Sequence, residues 1–298
     1  AEVTAAERYQ KTAWDQAAVD RMLVEVFLQA HAEPPREIVL DLDATDVPLH
    51  GQQQGRFFHG DYGPSGSLPL SLFCEESLRC ARRRPANRAA SAGSVAERER
   101  IVAPIRAAGP QVRIVVRGDA GFCREELLAG CEPRGVDSLL GLAKHGRRVG
   151  EFAAEQEQAE PQYQQTGRAA RRFRAFASQT RQSWSQPRRV LAKAEHLEQG
   201  ANPRFVVTSL RAEESPAQAW YEELYCARGE MQNRSKEHRM LFADRTSTAS
   251  LRSNPIRRYV SSVAYMLVAA LRRLGFEETE LTRAQGSTSR RKLLKIRP

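Results

Sequence analysis

Three carboxylates fall within six residues in Asp41-Leu42-Asp43-Ala44-Thr45-Asp46, at the end of an otherwise apolar stretch. Burying such groups is expensive unless a cation offsets the lost hydration. Ile38 to Asp43 is short, apolar and β-branched at its start, as a strand should be. Period-two alternation then puts Asp41 and Asp43 on one face. One of them can therefore meet a carboxylate on a neighbouring strand, and Asp119, following the strand-like run Val112-Arg113-Ile114-Val115-Val116, is the obvious candidate. Two carboxylates from adjacent strands make a hard, oxygen-rich site suited to Mg2+ or Mn2+, which keep several waters and take few protein ligands. His50, His59, His145, His196 and His238 have no metal-ligand spacing and are assigned no catalytic role.

The elements that must position these carboxylates can be read from periodicity. Helical spacing around Ala18, Met22, Val26 and Phe27 ends at Pro34-Pro35. The strand 38–43 follows, then two more short strands, Arg56 to Asp61 and Leu68 to Cys74, which together suggest an antiparallel meander. Ser91 to Ala108 reads as a helix with Ser94 and Glu97 in a capping-box pattern, and stops at Gly109-Pro110. After the strand at 112–118 come a helix, Arg124 to Cys131, and a strand, Val136 to Leu142. The order β-β-β-α-β-α-β fits a mixed sheet whose later strands run parallel. From His145 to about Ser215, strand patterns at Arg171–Ala177, Arg188–Ala194 and Arg204–Leu210 mark a β-rich insertion. Helices from Ala217 to about Leu241 and from Pro255 to Leu274 close the chain, the latter with Val263, Met266, Leu267, Ala270, Leu271 and Leu274 as a packing face. The expected divisions are 1–144, the first part of the core; 145–215, the insertion; and 216–298, helices that complete the core and end in a basic tail.

The 298 residues are enough for one or two domains with a real core. The 41% hydrophobic content excludes a disordered chain, and no apolar run is long enough for a membrane span. Five widely spaced cysteines without a C-x-x-C pair argue against a disulfide framework and a structural zinc site, and fit a reducing, cytoplasmic location. The first residue is Ala1 and not Met, as expected of a piece cut from a longer chain. Net charge is +10, but forty of the 46 basic residues are Arg, a bias that GC-rich coding alone can produce. Distribution says more than the total. Pro161 to Ala194 holds eight basic residues and no acid, and Thr282 to Pro298 holds six and none. Such segments fit a polyanionic partner, most simply nucleic acid.

The stretch Asp41-Leu42-Asp43-Ala44-Thr45-Asp46, followed by His50-Gly51-Gln52-Gln53-Gln54-Gly55-Arg56-Phe57-Phe58-His59-Gly60, resembles bacterial insertion-sequence transposases of the DDE type, and more narrowly their thirteen-eighty family. Matching segments continue in order along the chain. They are Arg117-Gly118-Asp119-Ala120-Gly121-Phe122, Asn202-Pro203-Arg204-Phe205-Val206-Val207-Thr208-Ser209-Leu210, Tyr225-Cys226-Ala227-Arg228-Gly229-Glu230-Met231, Leu241-Phe242-Ala243-Asp244-Arg245-Thr246-Ser247 and Lys292-Leu293-Leu294-Lys295-Ile296.

The resemblance implies an α/β, ribonuclease-H-like mixed sheet with flanking helices and the β-rich insertion before the last catalytic helix. It implies Asp43 and Asp119 as catalytic metal ligands, Asp43 because the first family Asp is followed by any residue and then Thr. Two Mg2+ or Mn2+ ions would drive in-line displacement at phosphorus. The family's last catalytic helix carries Tyr, two residues, Arg, three residues, Glu, six residues, Lys. Here Tyr225 and Arg228 fit, while the Glu position is Gln232 and the Lys position Arg239, which points to weakened or lost catalysis in a diverged copy. Arg228 would clamp a phosphate and Tyr225 the same strand, with Asn233, Arg234 and Lys236 extending that surface. In the insertion, Trp184 lies among Arg181, Arg188 and Arg189 and could stack an unpaired base. The implied activity is DNA cleavage and joining at element ends by a cut-and-paste route with a hairpin intermediate. Its implied partners are terminal inverted repeats, target DNA and a second copy of the chain, and an additional N-terminal region would recognise the repeats. The other reading of the departures is a DNA-binding remnant without catalysis.

Overall fold

The computed structural model describes residues 15–48, 57–58, 65–243, 253–276, 278–282 and 284–294. A nine-stranded sheet organises them. Its centre is β1 (Glu37–Ala44), flanked by the hairpin β2 (Leu70–Cys74) and β3 (Ser77–Arg82) on one side and by β4 (Arg113–Gly118) and β5 (Val136–Leu142) on the other. β1, β4 and β5 run parallel, and β2 and β3 antiparallel. The parallel steps need crossovers, and α2 (Ser94–Ala108) and α3 (Glu125–Cys131) lie between the strands that they join. The sheet continues through β6 (Ala170–Ser178), β7 (Arg188–Leu197), β8 (Gly200–Ala201) and β9 (Arg204–Thr208), with β9 antiparallel to β5 and the whole of β6 paired with β7 from Arg188 to His196.

Both faces of the sheet are covered. Leu40, Leu42, Ile114, Val116 and Leu140 pack with Phe27 of α1 (Gln16–Gln29) and with Ile101, Ile105, Leu127 and Leu128 of α2 and α3. On the opposite face, Val115, Leu139, Leu191 and Val206 meet Tyr221, while Phe73 and Leu78 meet Met231 and Tyr265. Leu40 and Leu42 point to the first face, so by strand alternation Asp41 and Asp43 point to the second. Met231 and Tyr265 belong to α6 (Arg228–His238) and α7 (Ser253–Gly275), and α8 (Gly286–Leu294) follows.

The mixed sheet with flanking helices agrees with the expected fold class, but several elements differ from expectation. The third core strand is Ser77–Arg82, not 56–61. Of the latter stretch only Phe57–Phe58 is described, and it joins a small separate sheet with Val47–Pro48 and Ser65–Ser67. A two-residue turn at Glu75-Glu76, Glu75 having φ 53°, contains no Gly or Pro and so hid the hairpin. The capping box does not form. Gly93 caps α2 in the left-handed region, Ser94 Oγ donates to the Ser91 carbonyl, and Glu97 instead pairs with Arg82 and Arg100. The segment 145–215 opens with two helices, α4 (Gly146–Glu151) and α5 (Ala153–Thr166), and its strands extend the central sheet. The expected helix 217–241 is broken into Ala217–Ala219, a π turn at Trp220–Tyr225, α6, and a second π turn at Arg239–Ala243. On α7, Met266 packs inward, while Leu267, Leu271 and Leu274 are exposed, because the helix carries apolar residues on more than one side. Among the described residues no helix is long and apolar enough to cross a membrane.

Candidate active site

β1 and β4 are in parallel register, with Asp41 opposite Arg117, so the same register puts Asp43 and Asp119 level two residues further along. The strand ends therefore bring the two carboxylates together. Asp43 is buried, with Oδ2 accepting from Thr45 Oγ1 (2.7 Å) and Ser235 Oγ (2.6 Å). Asp119 is about half exposed and caps the short turn after β4, its Oδ1 accepting from the Gly121 amide at 2.9 Å. A Cβ at Gly121 would lie 3.0 Å from that oxygen and 3.0 Å from the Ala90 Cβ, a tight contact that glycine avoids. Arg228, at the start of α6, reaches both acids through one nitrogen: Nη2 is 3.1 Å from Asp119 Oδ2 and 3.8 Å from Asp43 Oδ1.

Asp41 is excluded from this arrangement. Arg117 holds it in a bidentate pair, Nε to Oδ1 at 2.6 Å and Nη2 to Oδ2 at 2.7 Å, and also donates to the Leu224 carbonyl in the π turn. Burial pushes the Asp41 carboxyl above the ordinary range, and Arg117 opposes that shift. Tyr225 packs its hydroxyl over Gly141 of β5, where a Cβ would sit 2.5 Å from Tyr225 Oη and 2.9 Å from the Ala120 nitrogen. Only glycine allows this approach beside Asp119, and Gly141 is a site residue that sequence reasoning missed; a glycine inside an apolar strand was the available signal.

A model of the family described as Transposase DDE domain group 1 matches residues 3–297. The chain belongs to that family. No curated protein matches it. Among solved structures it is similar to a piggyBac transposase synaptic complex with hairpin DNA, at 9% identity and a TM-score of 0.47. That match covers 93% of this chain and 58% of the other, so the chain spans less than two thirds of that protein's length.

In this DDE domain, α6 presents Arg228, Gln232 and Ser235 within about 60° of one another at ~100° per residue, and Arg239 opens the π turn that follows. Arg228 and Ser235 reach the carboxylates, but Gln232, one turn from each, is exposed to solvent. Neither nearby glutamate replaces it. Glu230 is exposed on another side of the helix, and Glu237 is buried in a bidentate pair with Arg272 that also accepts from the Gly286 amide. Among the described residues no three His, Cys, Asp or Glu side chains cluster as a metal site. Asp43 and Asp119, whose Oδ1 and Oδ2 both face one cationic nitrogen, are hard oxygen donors that would hold one divalent ion; a second ion would lack the charge of a third carboxylate.

The other expected contacts are dispersed. Asn233 and Lys236 are exposed, whereas Arg234 is tied to Glu76 and Glu237. Trp184 is only 6% exposed and packs in the main core, with the Arg188 guanidinium over its ring. Arg188 is itself buried between Glu125 (2.5 Å) and Glu132 (2.9 Å), and its hydrogen bond holds the Glu125 carboxyl down at about 2. Arg189 donates to the Leu210 carbonyl. In this packing neither Trp184 nor Arg188 presents a stacking platform, because the aromatic face is already covered by its own cation. The acid-free basic segment is likewise partly neutralised from elsewhere in the chain: Arg171 pairs with Glu222, and Arg174 with Glu155. Lys193 and Arg171 share Glu195, one residue beyond the segment.

A cavity of about 10 Å3, room for about one water, lies behind Asp43 and is lined by Thr45, Ser71, Ser235, His238, Arg239 and Arg258. Arg258 is buried there, donating to Ser71 Oγ, and burial lowers it to about 10. His238 lies 3.1 Å from Ser262 Oγ, and burial, reinforced by Arg258, drives it well below its ordinary value. The folded domain keeps this imidazole neutral, while the unfolded chain takes up a proton near pH 6.5. Stability is therefore complete above that pH and falls below it, by up to about 1.4 kcal/mol per pH unit. Urea unfolding at pH 7.5 and 5.5 checks this: the unaltered chain should lose more stability between the two than His238→Gln does.

Proposed function

We propose that this domain is the catalytic part of an insertion-sequence transposase, of the thirteen-eighty kind, that cleaves and joins DNA strands at element ends. The observation that carries the reading is the placement of Asp43 and Asp119 side by side at the ends of two parallel strands, in a chain of the DDE family. Mg2+ or Mn2+, when bound, would supply Lewis-acid stabilisation of a phosphoryl oxygen and a lowered pKa for a bound water. Asp43 and Asp119 would hold it, with Thr45 and Ser235 fixing Asp43 in orientation. Arg228 would take a non-bridging phosphate oxygen, and Tyr225, against Gly141, would border the same strand. The partners of the reading are the terminal inverted repeats, target DNA and a second copy holding the other end, in the cytoplasm.

A specific observation favours a second reading. The third acidic position is a neutral, solvent-exposed Gln232, as expected of a chain that binds DNA without cutting it. The experiment is divalent-dependent cleavage of a labelled transposon-end duplex, with Asp119→Ala as the blank. Nicking that needs Mg2+ or Mn2+ and vanishes in the blank supports the enzyme. DNA binding without nicking leaves the remnant, and nicking that survives in the blank overturns the assignment of Asp119.

A further inference from the structure

Arg117 and Arg228, two of the buried arginines beside the carboxylates, are held in different ways. Arg117 grips Asp41 with two nitrogens at 2.6 and 2.7 Å and is a permanent part of the fold. Arg228 reaches Asp119 and Asp43 with one nitrogen only, at 3.1 and 3.8 Å, and the Leu42 carbonyl at 3.5 Å with that same atom. Its Nε is buried without a hydrogen-bond partner, although the residue is only 9% exposed. A guanidinium that leaves one donor orphaned and uses a single prong on three acceptors is poorly matched to its position, whereas a fork-on-carboxylate pair is well matched. The two oxygens that it faces, Asp119 Oδ2 and Asp43 Oδ1, belong to the carboxylates that would hold a divalent ion, and Asp119, about half exposed, leaves that place open to solvent.

We infer that Arg228 is the exchangeable cation of the site: it neutralises Asp43 and Asp119 until one divalent ion takes its place, and the released guanidinium then becomes available to a DNA phosphate. The inference rests on the proposed reading of Asp43 and Asp119 as metal ligands. It makes Arg228 a competitor of the metal before DNA arrives and a phosphate ligand afterwards. Metal and DNA would then bind cooperatively, because the ion frees the side chain that the phosphate uses. Like-charge repulsion at a few ångströms makes simultaneous occupation unfavourable in a partly buried site.

The test is Mn2+ binding to the full chain without DNA, followed by electron paramagnetic resonance of the free ion. Arg228→Gln should bind one Mn2+ per chain about tenfold more tightly than the unaltered protein, given the loss of one adjacent positive charge. Arg228→Lys, which keeps the charge, should stay within about threefold, and Asp119→Asn should remove binding in either background. Arg124→Gln, which removes a solvent-exposed charge five residues beyond Asp119 in the chain and outside the site, should change the affinity less than about twofold. Equal affinity in Arg228→Gln and the unaltered chain overturns the inference, as does an equal gain in Arg124→Gln, which would reflect the general field. If Arg228→Gln does not fold, the unaltered chain labelled with 15N-arginine decides: the Arg228 Nε–H resonance should move on Mg2+ titration, and a stationary signal overturns the inference. Cleavage of DNA with unchanged Mn2+ affinity in Arg228→Gln leaves the proposed function standing without this device. No Mn2+ binding in any form, together with no cleavage, overturns both.

Discussion

Gln232→Glu is expected to raise Mg2+-dependent cleavage of a transposon-end duplex by at least about 100-fold. A carboxylate at this position restores the charge with which a second divalent ion could be held opposite Asp43 and Asp119, and metal stabilisation of the transferring phosphoryl group is worth several kcal/mol, about 3 of which correspond to that factor. The scaffold is already in place: Arg228 and Ser235, one turn to either side of residue 232, both contact the acids. The π turns flank α6 and do not interrupt it, so residue 232 keeps the register of its neighbours. Initial rates of nicking, measured beside the unaltered chain and the Asp119→Ala blank, check the expectation. A rate unchanged from that of the unaltered chain would mean that α6 does not deliver residue 232 to the metal.

The second large effect is on stability. Asp41→Ala should destabilise the domain by about 3–5 kcal/mol, because it leaves Arg117 buried and unpaired in the sheet. At ~2–4 °C per kcal/mol for a chain of this size, the melting temperature should fall by about 10 °C. Arg117 also donates to the Leu224 carbonyl, so the lead-in to α6 loses an anchor, and Arg228 with it. A double variant, Asp41→Leu with Arg117→Met, removes both charges and should melt closer to the unaltered chain than Asp41→Ala does, as replaced buried pairs commonly do. Calorimetry of the three forms distinguishes the uncompensated charge from simple loss of packing.

Much of the core was legible because its signals are local. The strands at 38–43 and 112–118 carry apolar, β-branched runs, the strand at 136–142 is mostly apolar, and turn residues bound them. The alternation that put Asp41 and Asp43 on one face is a property of any strand. The strands of the insertion were also readable, whereas α4 and α5 were not: their residues are too polar to show a helical stripe. The β2–β3 hairpin was missed because Glu75-Glu76 carries none of the residues that announce a tight turn. The π turns flanking α6 follow from no local composition.

What the sequence by itself determined is the pair of carboxylates, the strands that carry them, and a neutral residue where a third acid was expected. What only the tertiary structure decided is which charges are free to act. Arg117 sequesters Asp41 while Asp43 faces Arg228, Glu237 is consumed by Arg272, and Arg188 covers Trp184 while Glu125 and Glu132 neutralise it. Each of these pairings joins residues at least 35 positions apart in the chain, except that of Trp184 with Arg188. A basic or acidic side chain shows its sign in the sequence, but its partner is set by the sheet order and the helix packing, and burial then makes that partner obligatory.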